Sequence, residues 1–137
     1  MKKYERINQD KKSFTLVELL IVVAILGIIG TIGIPIYQGQ IRTAQNTDAQ
    51  TTLQSISMMQ EQYLLENNSS TYWNSGSSCG DKTKDIGREL FAEENALNDD
   101  HFYFCIIPKD SSGYVAKAIS KKDGSEIWID YQNNKSW

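Results

Sequence analysis

From Phe14 to Ile36 the chain reads FTLVELLIVVAILGIIGTIGIPI, an almost wholly apolar run whose single charge is Glu18. At about 1.5 Å per helical residue, such a run spans the roughly 30 Å hydrocarbon core of a bilayer. Any fold this chain adopts must supply the run with lipid or with other apolar surface. A carboxylate at that depth is costly and calls for a partner. The chain can generate one itself. A cut before Phe14 exposes an α-amino group four residues upstream of Glu18, and in a helical array the ammonium of one subunit can pair with Glu18 of another.

With 137 residues in all, about a hundred remain for a soluble part, enough for one modest core. The net charge of −3 hides an asymmetry. Lys2, Lys3, Arg6, Lys11 and Lys12 outnumber Glu5 and Asp10 ahead of the apolar run, and the rest of the chain is acidic. Basic residues before an apolar span hold that end in the cytoplasm, which puts the bulk of the chain outside the inner membrane. Residues 1–13 thus read as a leader. No small-residue cleavage site of the secretory type follows the apolar core, and the run flows into more helix.

Gly27, Gly30 and Gly33 recur every third residue and Pro35 follows, so this part of the helix has low intrinsic stability and Pro35 should kink it or loosen the preceding turn. The glycines either let neighbouring backbones approach or are simply tolerated in an apolar span. After Tyr37, Ile41, Ala44, Ala49, Leu53, Ile56, Met59 and Tyr63 fall at spacings that predict an amphipathic helix to about Leu65, ended by Asn67, Asn68, Ser69 and Ser70. A Ser-, Asn- and Gly-rich connection follows to Asp100, with a short helix predicted over Arg88 to Leu97. Three strands are predicted: His101 to Ile107, Tyr114 to Ile119 and Glu126 to Tyr131. The Asp123-Gly124 pair signals a tight turn before the third. The expected fold class is α+β, a long N-terminal helix whose amphipathic second half packs on a small antiparallel sheet.

Cys79 and Cys105 lie in the part expected outside the cytoplasm, where a disulfide is favoured; two buried free thiols are the alternative, and the pair is too sparse for zinc. His101 has no nucleophile beside it and reads as structural. Glu93, Glu94, Asp99 and Asp100 match no calcium loop and read as a solvated face. Lys109, Lys117, Lys121, Lys122 and Lys135, with Trp128, Tyr131 and Trp137, form a mix that can contact DNA. Asp110, Asp123, Glu126 and Asp130 leave that region close to neutral, however. With no phosphate loop and no catalytic signature, neither an enzyme, a cofactor nor a metal is expected.

The run from Lys11 through Ser13, Phe14 and Glu18 to Ile29 resembles the class III signal of type IV pilins and pseudopilins, with Pro35 and Tyr37 also in place. Further on, Gln62 to Asn67 and Ser112-Gly113-Tyr114 are similar to short type IVa pilins, including minor and competence pilins. The resemblance implies a leader over residues 1–13, a membrane and filament-core segment over 14–37 and a globular domain over 38–137. It implies cleavage between Ser13 and Phe14 by a prepilin peptidase, N-methylation of Phe14, and an assembly role for Glu18. Gly27, Gly30, Gly33 and Pro35 would form an adaptable joint. Ser13 stands where the family prefers Gly, a departure that leaves two outcomes, a small residue that the peptidase still accepts or slow or absent processing. The implied partners are other pilin subunits, the peptidase, an inner-membrane assembly platform and, before assembly, lipid. The alternatives are a minor or competence pilin binding DNA or surfaces, and a type II secretion pseudopilin. In either case the precursor sits in the bacterial inner membrane and the product in a pilus or pseudopilus.

Overall fold

The computed structural model describes residues 14–137. The expected leader, including Ser13, lies outside the described residues. Two compact units, Met1–Ile41 and Arg42–Trp137, divide the chain, and helix α1 (Leu16–Glu66) contributes to both. In the first unit the helix runs unbroken through Pro35, so the proline is accommodated inside it rather than ending it. The large apolar side chains from Leu16 to Tyr37 are all exposed.

The second unit forms because α1 changes character. Ala49, Leu53, Ile56 and Gln60 recur every three or four residues and are buried, one stripe of an amphipathic helix. What covers the stripe is a three-stranded antiparallel sheet in the order β1-β2-β3, made of β1 (Phe102–Pro108), β2 (Tyr114–Ser120) and β3 (Glu126–Asp130). Alternation along the strands sends Phe102, Phe104, Ile106, Tyr114, Ala116, Ala118 and Ile129 into a shared core with Leu53 and Ile56. Tyr114 crosses from sheet to helix, its hydroxyl donating to Ser57 Oγ at 3.0 Å. Burial pushes the Tyr114 phenol above its ordinary pKa, which keeps it a neutral donor.

The helix ends as its Asn and Ser residues predict. Asn68 adopts a left-handed φ of 46°, and Ser69 N donates to Leu64 O at 3.3 Å, closing the last turn in the manner of a Schellman motif. Helix α2 (Thr83–Phe91) lies earlier than the predicted Arg88 to Leu97. The chain cannot stay helical past Phe91, because Ala92 turns left-handed at φ 56° and Glu93 folds back so that its N–H donates to Gly87 O at 3.1 Å. Gly87 is needed for that return, since a Cβ there would stand 2.6 Å from Glu93 O. The first strand also differs by one residue at each end, with Pro108 closing it at the sheet edge, where a missing N–H does no harm. Between β2 and β3, Asp123-Gly124 sits late in a five-residue connection rather than in a two-residue turn, with Gly124 at φ 70°.

The connection after α1 is more ordered than its composition suggests. The buried amide of Gln60 donates to Trp73 O at 2.7 Å and accepts from Trp73 N at 3.1 Å. From there the chain runs beside the free edge of β1. Ser75 N and Lys82 N donate to Ile106 O and Phe104 O, while Ser75 Oγ and Thr83 Oγ1 accept from Ile106 N and Phe104 N. Cys79, inside this segment, is disulfide-bonded to Cys105 of β1. The opposite edge is covered by the C-terminus. There Trp128 N donates to Ser136 Oγ and Asp130 N to Asn134 O.

Asp130 anchors that C-terminal return while only 1% exposed. It accepts from Lys109 Nζ at 2.6 Å, Asn134 Nδ2 at 2.9 Å, Asn134 N at 2.8 Å and Gln132 N at 3.0 Å. Burial alone would raise its pKa, but the ammonium and the three amide donors overcome it and hold the carboxyl at about 2. The folded value lies below the unfolded one, so this carboxylate's contribution is complete above about pH 4 and is lost as the pH falls through about 2. Urea titrations of the detergent-solubilised chain should show the midpoint difference between wild type and Asp130→Asn shrinking over that interval. Opening the disulfide with Cys79→Ser and Cys105→Ser releases a loop of 26 residues, a loss of about 3.5 kcal/mol in the chain-entropy model. The expected fall in Tm, about 15 °C or more, is measurable by calorimetry.

Candidate functional site

The start of α1 is built as a helix cap. Thr15 precedes the first helical residue, Leu16. Its N–H and its hydroxyl both donate to Glu18 Oε2, at 2.9 and 2.8 Å, and Glu18 N donates back to Thr15 Oγ1 at 3.3 Å. This is a capping box, two backbone donors of the first turn satisfied reciprocally by a Thr-x-x-Glu pair. Sequence reasoning found Glu18 through its charge and missed this role, although the spacing of Thr15 and Glu18 was signal enough. Within one chain the carboxylate is therefore held by neutral donors, with a second oxygen, Oε1, left to accept from elsewhere. Phe14, next to the cap, is exposed, so the place where an α-amino group would appear adjoins the carboxylate's own turn.

Following the cap, Leu16, Leu19, Leu20, Val23 and Ala24 line an open apolar groove along the helix. Gly27, Gly30 and Gly33 each have open space where a Cβ would stand, and Thr31 turns its hydroxyl inward to Gly27 O at 2.8 Å. These residues leave the helix surface low and apolar there, a shape that lets another backbone come close.

The other sequence candidates are scattered or already engaged. Lys109 pairs with Asp130, Lys117 with Glu126 at 3.0 Å, and Lys121 Nζ donates to Asp99 O at 2.7 Å. Lys135 lies 5.5 Å over the Trp137 ring, and the Tyr131 hydroxyl donates to Asp110 at 3.1 Å. Of the lysines and aromatics that could contact DNA, Lys109, Lys117, Lys121, Lys135, Tyr131 and Trp137 are thus engaged locally, while the side chains of Lys122 and Trp128 make no hydrogen bond or ion pair among the described residues. Glu94 holds Lys84 and Arg88, whose hydrogen bonds and charges lower its pKa, while Asp99 accepts from the N–H groups of His101 and Phe102. Glu94 therefore serves ion pairs and Asp99 a turn, while the side chains of Glu93 and Asp100 are exposed. Among the described residues no three His, Cys, Asp or Glu side chains are grouped to hold a metal. His101 Nε2 lies 3.1 Å from Gln45 Nε2 at the surface.

Comparison with known proteins bears on the same end of the chain. Residues 8–34 match the family model described as a prokaryotic N-terminal methylation motif. A fimbrial protein of Pseudomonas aeruginosa is 32% identical over 119 residues, covering 85% of this chain and 73% of that protein. Fimbrial protein EcpC of Eikenella corrodens is 44% identical over 43 residues, 31% of this chain and 28% of that protein. A fimbrial protein of Moraxella nonliquefaciens is 51% identical over 39 residues, 28% of this chain and 25% of that protein. No solved structure matches at comparable significance. A methylation motif laid over the capped apolar start of α1, followed by a helix-and-sheet unit and by likeness over most of a fimbrial protein, places this chain in the type IV pilin family.

Proposed function

We propose that the chain is a structural pilus subunit, made as an inner-membrane precursor with its leader in the cytoplasm. A prepilin peptidase cuts between Ser13 and Phe14, the Phe14 amine is methylated, and an assembly platform draws the subunit into a filament through α1. The observation that carries this reading is the exposure of every large apolar side chain from Leu16 to Tyr37. Burying one such Leu or Ile contributes about 1.5–3 kcal/mol, so this surface is satisfied first by lipid and then by the helices of neighbouring subunits. Exchanging lipid for protein gains little from hydrophobicity alone, which leaves register to be set by packing and polar contacts. Glu18 supplies the polar contact. One of its oxygens is committed to Thr15, and the other is free to accept from the Phe14 ammonium of the next subunit.

The reading separates two roles of Glu18 experimentally. Glu18→Gln keeps an acceptor for Thr15 and removes the charge, whereas Glu18→Ala removes both. Both variants should insert into the membrane, and both should drop to background in the sheared filament fraction measured by immunoblot. Normal incorporation of Glu18→Gln would show that capping, rather than charge pairing, is what assembly needs. Intact-mass analysis of the chain isolated from its own cells should give a species starting at methylated Phe14. A mass starting at Met1 would overturn the processing step.

A further inference from the structure

We propose that Asn68 is an N-glycosylation site, the acceptor of an oligosaccharide delivered from a polyprenyl diphosphate carrier. The inference rests on the reading above in one respect, that the chain beyond the apolar segment of α1 lies outside the cytoplasm. The acceptor signal is Asn-x-Ser or Asn-x-Thr with x other than Pro, placed on accessible backbone. The sequence contains three: Asn67-Asn68-Ser69, Asn68-Ser69-Ser70 and Asn134-Lys135-Ser136. A transferase needs the asparagine amide and the hydroxyl two residues on, and the fold leaves both free in only one of the three.

Asn134 is spent on structure. Its Nδ2 donates to Asp130 Oδ2 at 2.9 Å and its N–H to Asp130 Oδ1 at 2.8 Å, while Ser136 Oγ accepts from Trp128 N at 2.8 Å. Glycosylating it would dismantle the cover of the β3 edge. Asn67 Nδ2 donates to Tyr63 O at 3.1 Å, and Ser69 Oγ is bound to the backbone of Thr71 on both sides, donating at 2.9 Å and accepting at 3.2 Å. Asn68 and Ser70 are exposed, and the side chains of both are without a hydrogen bond among the described residues. Asn68 also occupies the left-handed position that ends α1, at φ 46°, so it stands where the chain turns outward. Three residues earlier Leu65 is 83% exposed on the last turn of the helix, apolar surface that a bulky polar chain at Asn68 can screen from water.

In the transfer, Asn68 Nδ2 attacks C1 of the first sugar of a polyprenyl diphosphate-linked oligosaccharide. The nitrogen–C1 bond forms as the C1–oxygen bond breaks, polyprenyl diphosphate leaves with the electron pair, and one amide proton passes to a base of the transferase. No oxidant or reductant is involved.

The test is tryptic peptide mapping of the full chain purified from its own cells. Residues 43–82, the fragment bounded by Arg42 and Lys82, should be heavier than their sequence mass by an oligosaccharide, with fragmentation locating it on Asn68. Asn68→Gln and Ser70→Ala should return the fragment to sequence mass, Ser70→Thr should retain the sugar, and Asn67→Gln and Asn134→Gln should leave it in place. An unshifted wild-type fragment overturns the proposal. The same digest without reduction distinguishes the reason, because Cys79 links this fragment to residues 89–109 once the chain has reached an oxidising compartment. Linked and unshifted, the site alone is wrong; unlinked and unshifted, the membrane topology fails with it.

Discussion

The Arg42–Trp137 unit depends on one contact surface, the Ala49–Leu53–Ile56 stripe of α1 beneath the inner face of the sheet. A small three-stranded sheet needs its apolar face covered to be stable, and a helix with so many Thr, Ser and Gln residues has little reason to hold its shape in water. Each supplies what the other lacks. Tyr114 to Ser57 then fixes how they meet, and Gln60 to Trp73 ties the following connection to the helix, since each satisfies a polar group at a position where leaving it unpaired would cost about 1–3 kcal/mol. The same helix carries a second apolar surface nearer its start that is exposed among the described residues. One element thus has its fold-forming contacts in one part and a long exposed apolar surface in the other.

Much of this was legible from residue types and spacing. Period-3.6 burial from Ala49 onward, period-2 alternation in Tyr114 to Ser120 and the Asn-rich helix end are local patterns, and local patterns survive in a sequence. The positions that resisted reading depend on partners far away in the chain. Helix α2 was displaced because its end is decided by Gly87 meeting Glu93 and Glu94, not by the apolar spacing of Leu90, Phe91 and Leu97. Asp130 looked like one more surface acid in a mixed-charge strand, yet it is buried because Lys109 and the turn to Asn134 converge on it. Of the lysines judged as a set, Lys109, Lys117 and Lys121 turned out to be partners of individual acceptors, which composition cannot reveal. At the capped start the case is reversed: Thr15 and Glu18 are a local pattern, and attention to the charge hid the cap.

Glu18 shows how a charge on an apolar helix can be satisfied locally. In the single chain its bonds to Thr15 start the helix, which settles part of its polarity without any partner. A carboxylate so held by a backbone N–H and a hydroxyl has part of its desolvation cost met within its own turn.

Both margins of the sheet are closed, one by residues 75–83 under the Cys79–Cys105 bridge and the other by the turn from Asp130 to Ser136. Open sheet margins are templates on which further strands polymerise. A member of a family that assembles into filaments would otherwise be exposed to that rival route of growth, which ends in cross-β aggregates. With its margins covered by residues 75–83 and 134–136, the sheet withholds its backbone donors and acceptors from neighbouring strands, and the loop and tail that look like decoration on it act as a safeguard against that rival route.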